Sequence, residues 1–354
     1  MYKVSSFSGA LVQLVITPNI LGLTTKTAEY RGQQSLYEQQ IPQVLDTLLN
    51  HSIIQSTESS NRIEGIIVNS KRFDSIMNNK SKPNNRSEAE IIGYRDVLKI
   101  IHERHQYIPI RPNTILQLHR DLMTYVGSGQ GGRWKSVDNV IEEILPGGEK
   151  RVRFQPTPAW QTAEAIDELC RTFDANRDFG TWPDVLLIGT FILDFLCIHP
   201  FPDGNGRMAR LLTLLLLYQS GYLVGKYISI EKVVEDTRDQ YYETLFKSSE
   251  HWHDGKHDLI PWLEYFLSII VKAYRLFEER VGDLKSNQQK GWKQKRIRAV
   301  VQSFVADFSI ADVEERCPGI SRPMITKILR DMSKDGTVEC IEHGRRARWV
   351  LKTK

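Results

Sequence analysis

Cysteine is scarce: Cys170, Cys197, Cys317 and Cys340 are the only four, and no two form a C-x-x-C pair. In a chain of 354 residues that argues against a disulfide framework and for reduced thiols in a cytosolic protein. Long apolar runs are also missing. The richest stretch, Leu211 to Leu217, is far shorter than the roughly 20 residues a membrane span needs, and it reads as a buried helix. The N-terminus holds one early lysine and a short apolar patch broken by Gln13, a poor signal peptide. The expectation is therefore a cytoplasmic protein with no membrane partner. Internal repeats are absent. Net charge is only +4, so the whole chain is not a general polyanion binder.

What is present is ordinary for a soluble globular protein, with 41% apolar and 25% charged residues. The length suggests two or three domains. The charge, however, is uneven. Residues 291–354 hold 14 Lys+Arg against 8 Asp+Glu, whereas the other 290 residues hold 33 against 35. The basic excess belongs to the C-terminus.

Apolar spacing predicts a helix from Ile41 to Glu64, carried by Val44, Leu45, Leu48 and Leu49. Residues 78–87 lack apolar side chains and read as a surface loop. Helices follow over Ile91–His105 and from Asn113, its expected N-cap. "NVIEEI" and "KRVRFQ" flank "LPGG" and predict a β-hairpin turning at Pro146-Gly147-Gly148. A helix starting near Thr157 or Thr162 comes next, and Pro183 opens a long apolar helix. The stretch "GDLKSNQQKGW" reads as a linker. Beyond it, three short helices and the strands "TVECIE" and "ARWVLK" make a winged helix-turn-helix pattern, with Ser321 as the N-cap of the third helix.

Most polar chemistry is concentrated in "HPFPDGNGRMAR", residues 199–210, between two strongly apolar segments. Gly204 and Gly206 permit backbone conformations closed to other residues. At a helix N-terminus, where N–H groups are unpaired and the dipole end is positive, they make an anion cradle. Arg207 and Arg210 beside such a cradle suggest a polyphosphate. Asp203 at its edge would be repelled by phosphate unless a divalent cation, naturally Mg²⁺, lies between them. His199 at the end of the preceding helix is placed to accept a proton from an attacking hydroxyl. The pattern fits phosphoryl or nucleotidyl transfer, although "GNG" is also a common turn and His-Pro a common helix end.

The stretch resembles the signature of Fic-domain proteins, His-Pro-Phe-x-Asp/Glu-Gly-Asn-Gly/Lys-Arg-x-x-Arg. Every defined position matches: His199, Pro200, Phe201, Asp203, Gly204, Asn205, Gly206, Arg207 and Arg210. Members of this family mostly transfer AMP from ATP to a Ser, Thr or Tyr hydroxyl of a protein and release pyrophosphate. The resemblance implies a mainly α fold, a Fic helical bundle with a β-hairpin flap. It would comprise an N-terminal helical region (1–108), a catalytic core (109–280) and the winged helix (291–354). It implies His199 as general base, Asp203 as the Mg²⁺ ligand, and Phe201 packed under the loop. Gly204, Asn205 and Gly206 become the anion hole. Arg207 and Arg210 hold the outer phosphates, with the intervening Met208 and Ala209 in the same ATP-binding stretch. Tyr241 or Tyr242 falls near the adenine. The hairpin resembles the family's target-aligning flap, here assigned to Val137, Asp138, Asn139 and Val140. Ser60-Asn61-Arg62-Ile63-Glu64-Gly65 resembles the family's inhibitory motif, in which Glu64 would pair with Arg210 and displace the γ-phosphate. Ser60 and Glu64 stand four apart, on one helix face.

Other signals are set aside. "GSGQGG" at 127–132 lacks the strand and helix of a dinucleotide fingerprint. "HWHDGKH" at 251–257 reads as a solvated loop rather than a metal cluster. Cys197 reads as a packed thiol. In the C-terminal pattern Arg322, Lys327 and Arg330 on the recognition helix, and Arg345 and Arg346 in the wing, are available to phosphates. Such modules also dock proteins and dimerise, so DNA, a protein partner and a homodimer all stay open. The leading expectation is a self-inhibited adenylyltransferase acting on a target protein and on itself. The alternatives are a DNA-binding regulator whose core senses nucleotide, and a transferase using another nucleotide donor. An intact His199 favours a transferase, because a sensor needs no base.

Overall fold

The computed structural model describes every residue except 1–5, 41, 79–81, 128, 130, 145–149, 290–291, 303, 305–306, 318–319, 343, 345–346 and 353–354. Two compact units divide the chain, Met1–Phe277 and Glu278–Lys354.

The first unit is mostly helical. After a single turn at Ser6–Ala10 come α1 (Pro18–Gln40), α2 (Pro42–Ile63), α3 (Ser70–Met77), α4 (Arg86–Arg104) and α5 (Pro112–Leu122). A hairpin follows, β1 (Ile141–Ile144) and β2 (Lys150–Phe154). Then come α6 (Thr162–Phe179), α7 (Asp184–Ile198), α8 (Asn205–Gln219), α9 (Ile230–Asp236), α10 (Arg238–Ser249) and α11 (Ile260–Gln289). The core is built on α7 and α8. Nearly every side chain of both is buried, and α7 lies between α6 and α8.

Several starts and stops differ from the sequence expectation. Helix α4 begins five residues early because the Asn85 side chain accepts the Glu88 N–H at 2.9 Å, turning the end of the supposed loop into a cap. Asn113 is not the cap of α5; Pro112 occupies its first turn, where a missing N–H costs nothing. The supposed linker is helical up to Gln289. The hairpin pairs Glu142 with Val152 in antiparallel register, and its expected turn at 146–148 lies outside the described residues.

The second unit contains α12 (Trp292–Gln302), β3 (Phe308–Ser309), α13 (Ile310–Arg316), α14 (Arg322–Lys334), β4 (Val338–Glu342) and β5 (Arg348–Leu351). The two expected strands gain a third, in the order β3-β5-β4. Ser309 and Asp312 form a reciprocal capping box at α13. Ser321 caps α14 by position, without a side-chain bond. Ile297, Val313, Ile325, Leu329 and Trp349 share a separate core. Arg345 and Arg346 lie outside the described residues.

Candidate active site

Helix α7 ends at His199, whose backbone is left-handed at φ 50°, ψ 62°. That region is unfavourable for a residue with a Cβ, and a following proline disfavours helical ψ still further. Such outliers persist only where the surroundings enforce them. Here the enforcement is visible. The carbonyls of residues 198 to 201 are all held. Lys135 Nζ donates to Ile198 O (3.0 Å) and the Lys135 N–H to Pro200 O (2.9 Å). Asn139 Nδ2 donates to His199 O (3.3 Å) and Phe201 O (3.1 Å). Burial, eased by Asp138, lowers the Lys135 ammonium to about 8.

The His199 ring is poised as a base. Its Nδ1 lies 3.3 Å from Leu196 O, and a carbonyl can only accept, so Nδ1 carries the hydrogen and Nε2 is bare. Burial pulls its pKa down to about 4, against the opposing pull of the Leu196 bond, which leaves the ring neutral at physiological pH.

The loop between α7 and α8 is shaped from within. Asn205 accepts the Phe201 N–H (2.9 Å) and donates to Phe201 O (2.7 Å). Phe201 is fully buried and stacks on His119 with centroids 3.7 Å apart. His119 Nδ1 accepts the Gly132 N–H, so its Nε2–H donates to Asp203 O at 3.1 Å. Gly204, at φ 82°, turns the chain into α8. The first-turn N–H groups of α8 have no helical partners and present a positive pole.

Three charged side chains of the motif are held by N-terminal helices. Arg207 is 2% exposed and donates to Glu90 at 2.6 Å. Glu90 also accepts from Arg86 (2.6 Å), and Arg86 pairs with Asp203. Arg210 is engaged by the end of α2. Its Nε donates to Ser60 Oγ (2.8 Å), and its Nη2 to Ser60 O (2.9 Å) and Glu64 Oε1 (2.7 Å). Burial acts to lower the Arg210 pKa, but the Glu64 charge and its hydrogen bond help carry it upward overall. Gly65, at φ 79°, ends α2, and the Ile66 N–H returns to Asn61 O as in a Schellman turn. That turn aims Glu64 at the start of α8. A Cβ at Gly206 would collide with Glu64 Oε1, so any larger residue there would make the carboxylate shift.

Some of these groups line an open cleft of about 490 Å³, but Arg207, expected to hold phosphate, is buried against Glu90 and does not. One wall holds Glu64, His199, Asp203, Gly204, Gly206 and Arg210. Ile141, Glu142, Arg153 and Phe154 of the hairpin form another, and Arg238, Tyr241, Tyr242 and Phe246 of α10 a third. Arg153 lies over the Tyr242 ring (5.4 Å) and also donates to Tyr242 O. Burial raises both tyrosine hydroxyls, so they stay protonated.

Several expected site residues stand elsewhere. Met208 and Ala209 are buried in the core and do not line the cleft, because α8 turns that face toward α7. The Asn205 side chain is spent on the loop, leaving only its backbone for an anion. Val137, Asp138, Asn139 and Val140 precede the strand instead of forming it. Asn139 clamps the loop, Asp138 accepts the Ala159 N–H, and Val137 is 76% exposed. The residues facing the cleft are Ile141 and Glu142. "HWHDGKH" is solvated only in part: His251, His253, Asp254 and Lys256 are exposed, whereas Trp252 and His257 are buried. Trp252 Nε1 donates to buried Asp194 (2.7 Å), and His257 Nε2 meets Ser6 Oγ (2.7 Å), which also bonds Asp194. No cluster of three metal-binding side chains occurs among the described residues. Cys197 is buried, and burial raises its thiol well above the usual range. Arg86, Glu90, His119, Lys135 and Arg153 were not singled out from the sequence. The partners that tie them to the site lie far along the chain, and no local pattern marks them.

Residues 109–217 match the model of the Fic/DOC family. The "Protein adenylyltransferase Fic" of Drosophila erecta is 27% identical over 228 residues, covering 63% of this chain and 41% of that protein. The protein of the same name from Culex quinquefasciatus is 27% identical over 233 residues, again 63% of this chain and 41% of the relative. The chain thus spans about two fifths of the length of these curated relatives. A crystal structure of a Fic family protein from Desulfovibrio desulfuricans G20 superimposes with a TM-score of 0.65 at 20% identity, over 96% of this chain and 98% of that one. Fic-1 from C. elegans gives 0.59 at 18%, over 76% and 73%.

Proposed function

From a chain whose residues 109–217 are a Fic domain, we propose a protein adenylyltransferase held back by its own α2 helix. It transfers AMP from ATP to a Ser, Thr or Tyr hydroxyl of a protein, itself included. The observation behind this reading is a bare imidazole Nε2, on a neutral His199, in the cleft that also holds Gly206, Arg210 and the positive pole of α8. His199 Nε2 takes the proton of the target hydroxyl. The hydroxyl oxygen bonds to the α-phosphorus, the bond from that phosphorus to the bridging oxygen breaks, and pyrophosphate leaves. The first-turn N–H groups of α8 hold the phosphates with Arg210 beside them, while Arg207, buried and bonded to Glu90, braces the loop from behind. Tyr241 and Tyr242 offer aromatic surface for the base.

Asp203 suits Mg²⁺. Its carboxylate is 41% exposed at the cleft edge, and the other acids lining the cleft are Glu64 and, on the hairpin, Glu142. One carboxylate completed by substrate phosphates and water is the usual Mg²⁺ donor set, and the bound ion neutralises phosphate charge. The self-restraint is assigned to Ser60 and Glu64. A carboxylate over Gly206 and bonded to Arg210 stands where a terminal phosphate would go.

The test uses ATP labelled at the α-phosphorus, with a γ-labelled control. Label from the α position should stay on the denatured protein, weakly for the wild type and strongly for Glu64→Gly. Transfer from the γ position, or none from Glu64→Gly, would overturn the reading.

A further inference from the structure

We propose that the outward face of α14 binds the phosphate backbone of duplex DNA, with the helix seated in the major groove. This goes beyond the transferase reading and does not depend on it. Ile325, Ile328, Leu329 and Met332 turn one stripe of α14 into the core of the second unit. The opposite stripe lines a shallow groove with Arg322, Thr326, Lys327, Arg330 and Lys334, at spacings of three to five that keep them on one side. All four cations are exposed. Arg322 meets Glu314 of α13 at 3.0 Å, a solvent-exposed pair that holds it weakly. Lys327, Arg330 and Lys334 have no acidic partner among the described residues. Two acids stand nearby. Asp331 lies on the same face, and Asp335 just past the helix is already paired with Arg298 at 2.9 Å. The face from Arg322 to Lys334 therefore carries four positive charges against one negative.

The rest of its chemistry narrows the ligand. No aromatic side chain lines the groove, so it offers no platform for stacking single-stranded bases. It also lacks the large apolar anchors that centre protein interfaces. What remains is repeated positive charge along a helix of 13 residues, about 20 Å long. A major groove about 12 Å wide admits such a helix, whereas the deep, narrow major groove of duplex RNA does not.

Anisotropy of a labelled random-sequence DNA duplex, titrated with the full chain at rising salt, tests this. Binding should fall in the range of roughly 1–100 µM, with log K against log salt sloping at about −3. Lys327→Gln/Arg330→Gln should weaken it at least about tenfold and make the slope shallower by about 2, while the far-UV spectrum is kept. If that pair disturbs folding, Lys334→Gln alone should change the slope by about 1. Absent duplex binding, affinity unmoved in these variants, or tighter binding to duplex RNA or single strands would each overturn the proposal.

Discussion

Glu64 Oε1 lies 2.7 Å from Arg210 Nη2 and fills the space that a Cβ would take at Gly206. One carboxylate thus uses up an arginine and crowds the first turn of α8. An exposed ion pair stabilises by only about 0–1 kcal/mol. Here Arg210 is 7% exposed and makes three bonds to the end of α2. Hydrogen bonds to charged groups contribute about 1.5–3 kcal/mol each, so three together, about 4.5–9 kcal/mol, bracket the roughly 5.5 kcal/mol that inverts a 99:1 population.

Glu64→Gly should therefore raise self-modification by at least about tenfold while changing ATP affinity less. Arg210→Ala should not mimic it, because Arg210 is also needed to seat the outer phosphates. Rates and calorimetry on both single variants and the double variant decide. An unchanged rate for Glu64→Gly would reduce the Ser60–Gly65 turn to an ordinary helix end.

His199→Ala should lower transfer by about two to four orders of magnitude and leave nucleotide binding intact. With burial holding the ring near about 4, an activated variant should keep a flat kcat/KM from about pH 8 to about pH 6. An ordinary histidine near about 6.5 would already lose its base over that range. A loss of activity centred near neutrality would move the role to another group.

Asp203→Ala should weaken Mg²⁺-dependent binding of the triphosphate yet spare thermal stability, since the side chain is partly exposed and packs no core. Calorimetry with and without Mg²⁺ reads this directly. If both affinity and activity match the wild type, Asp203 holds no metal.

Burial raises the Asp194 carboxyl from its ordinary 3.8 to about 7, despite its bonds from Ser6 and Trp252. A pKa raised on folding supplies stability below the unfolded value, and that stability is lost as pH climbs toward the folded one. Asp194→Asn keeps an acceptor for both partners and cannot ionise. Its melting temperature should gain on the wild type between about pH 5 and about pH 8, by the equivalent of roughly 2.5 kcal/mol. His257 shifts the opposite way, lowered to about 4 by burial, and is common to both proteins. A constant difference across that range would mean that Asp194 ionises freely.

The segments legible in the sequence are those whose signal is contiguous. Helix α2 shows its apolar spacing, and 199–210 carries loop, helix start and charge together. The hairpin strands show too, but which residues face the cleft depends on a register that breaks between Ile141 and Glu142. Helix α1 has few apolar residues at helical spacing and was not expected. Arg86 reaches Asp203 across 117 positions, and Asn139 reaches His199 across 60. Such pairings arise only when helices pack. The stretch at 251–257 misleads for a related reason: Trp252 and His257 are buried against Asp194 and Ser6, partners that lie far along the chain.

The second half of α2 is docked mainly by hydroxyls. Ser52, Ser56, Thr57, Ser59 and Ser60 are buried, and Ser56 and Ser59 donate to Glu231 and Glu235 of α9, each at 2.7 Å. Tyr94 of α4 closes on the other oxygen of Glu231 at 2.8 Å. Lifting this segment would wet mostly oxygen and little hydrocarbon. Apolar hydration raises heat capacity and polar hydration lowers it. Release of the restraining helix would therefore have a small heat-capacity change, so its equilibrium constant would follow temperature almost linearly in a van't Hoff plot. Unfolding of the apolar core around α7 and α8 would show pronounced curvature instead.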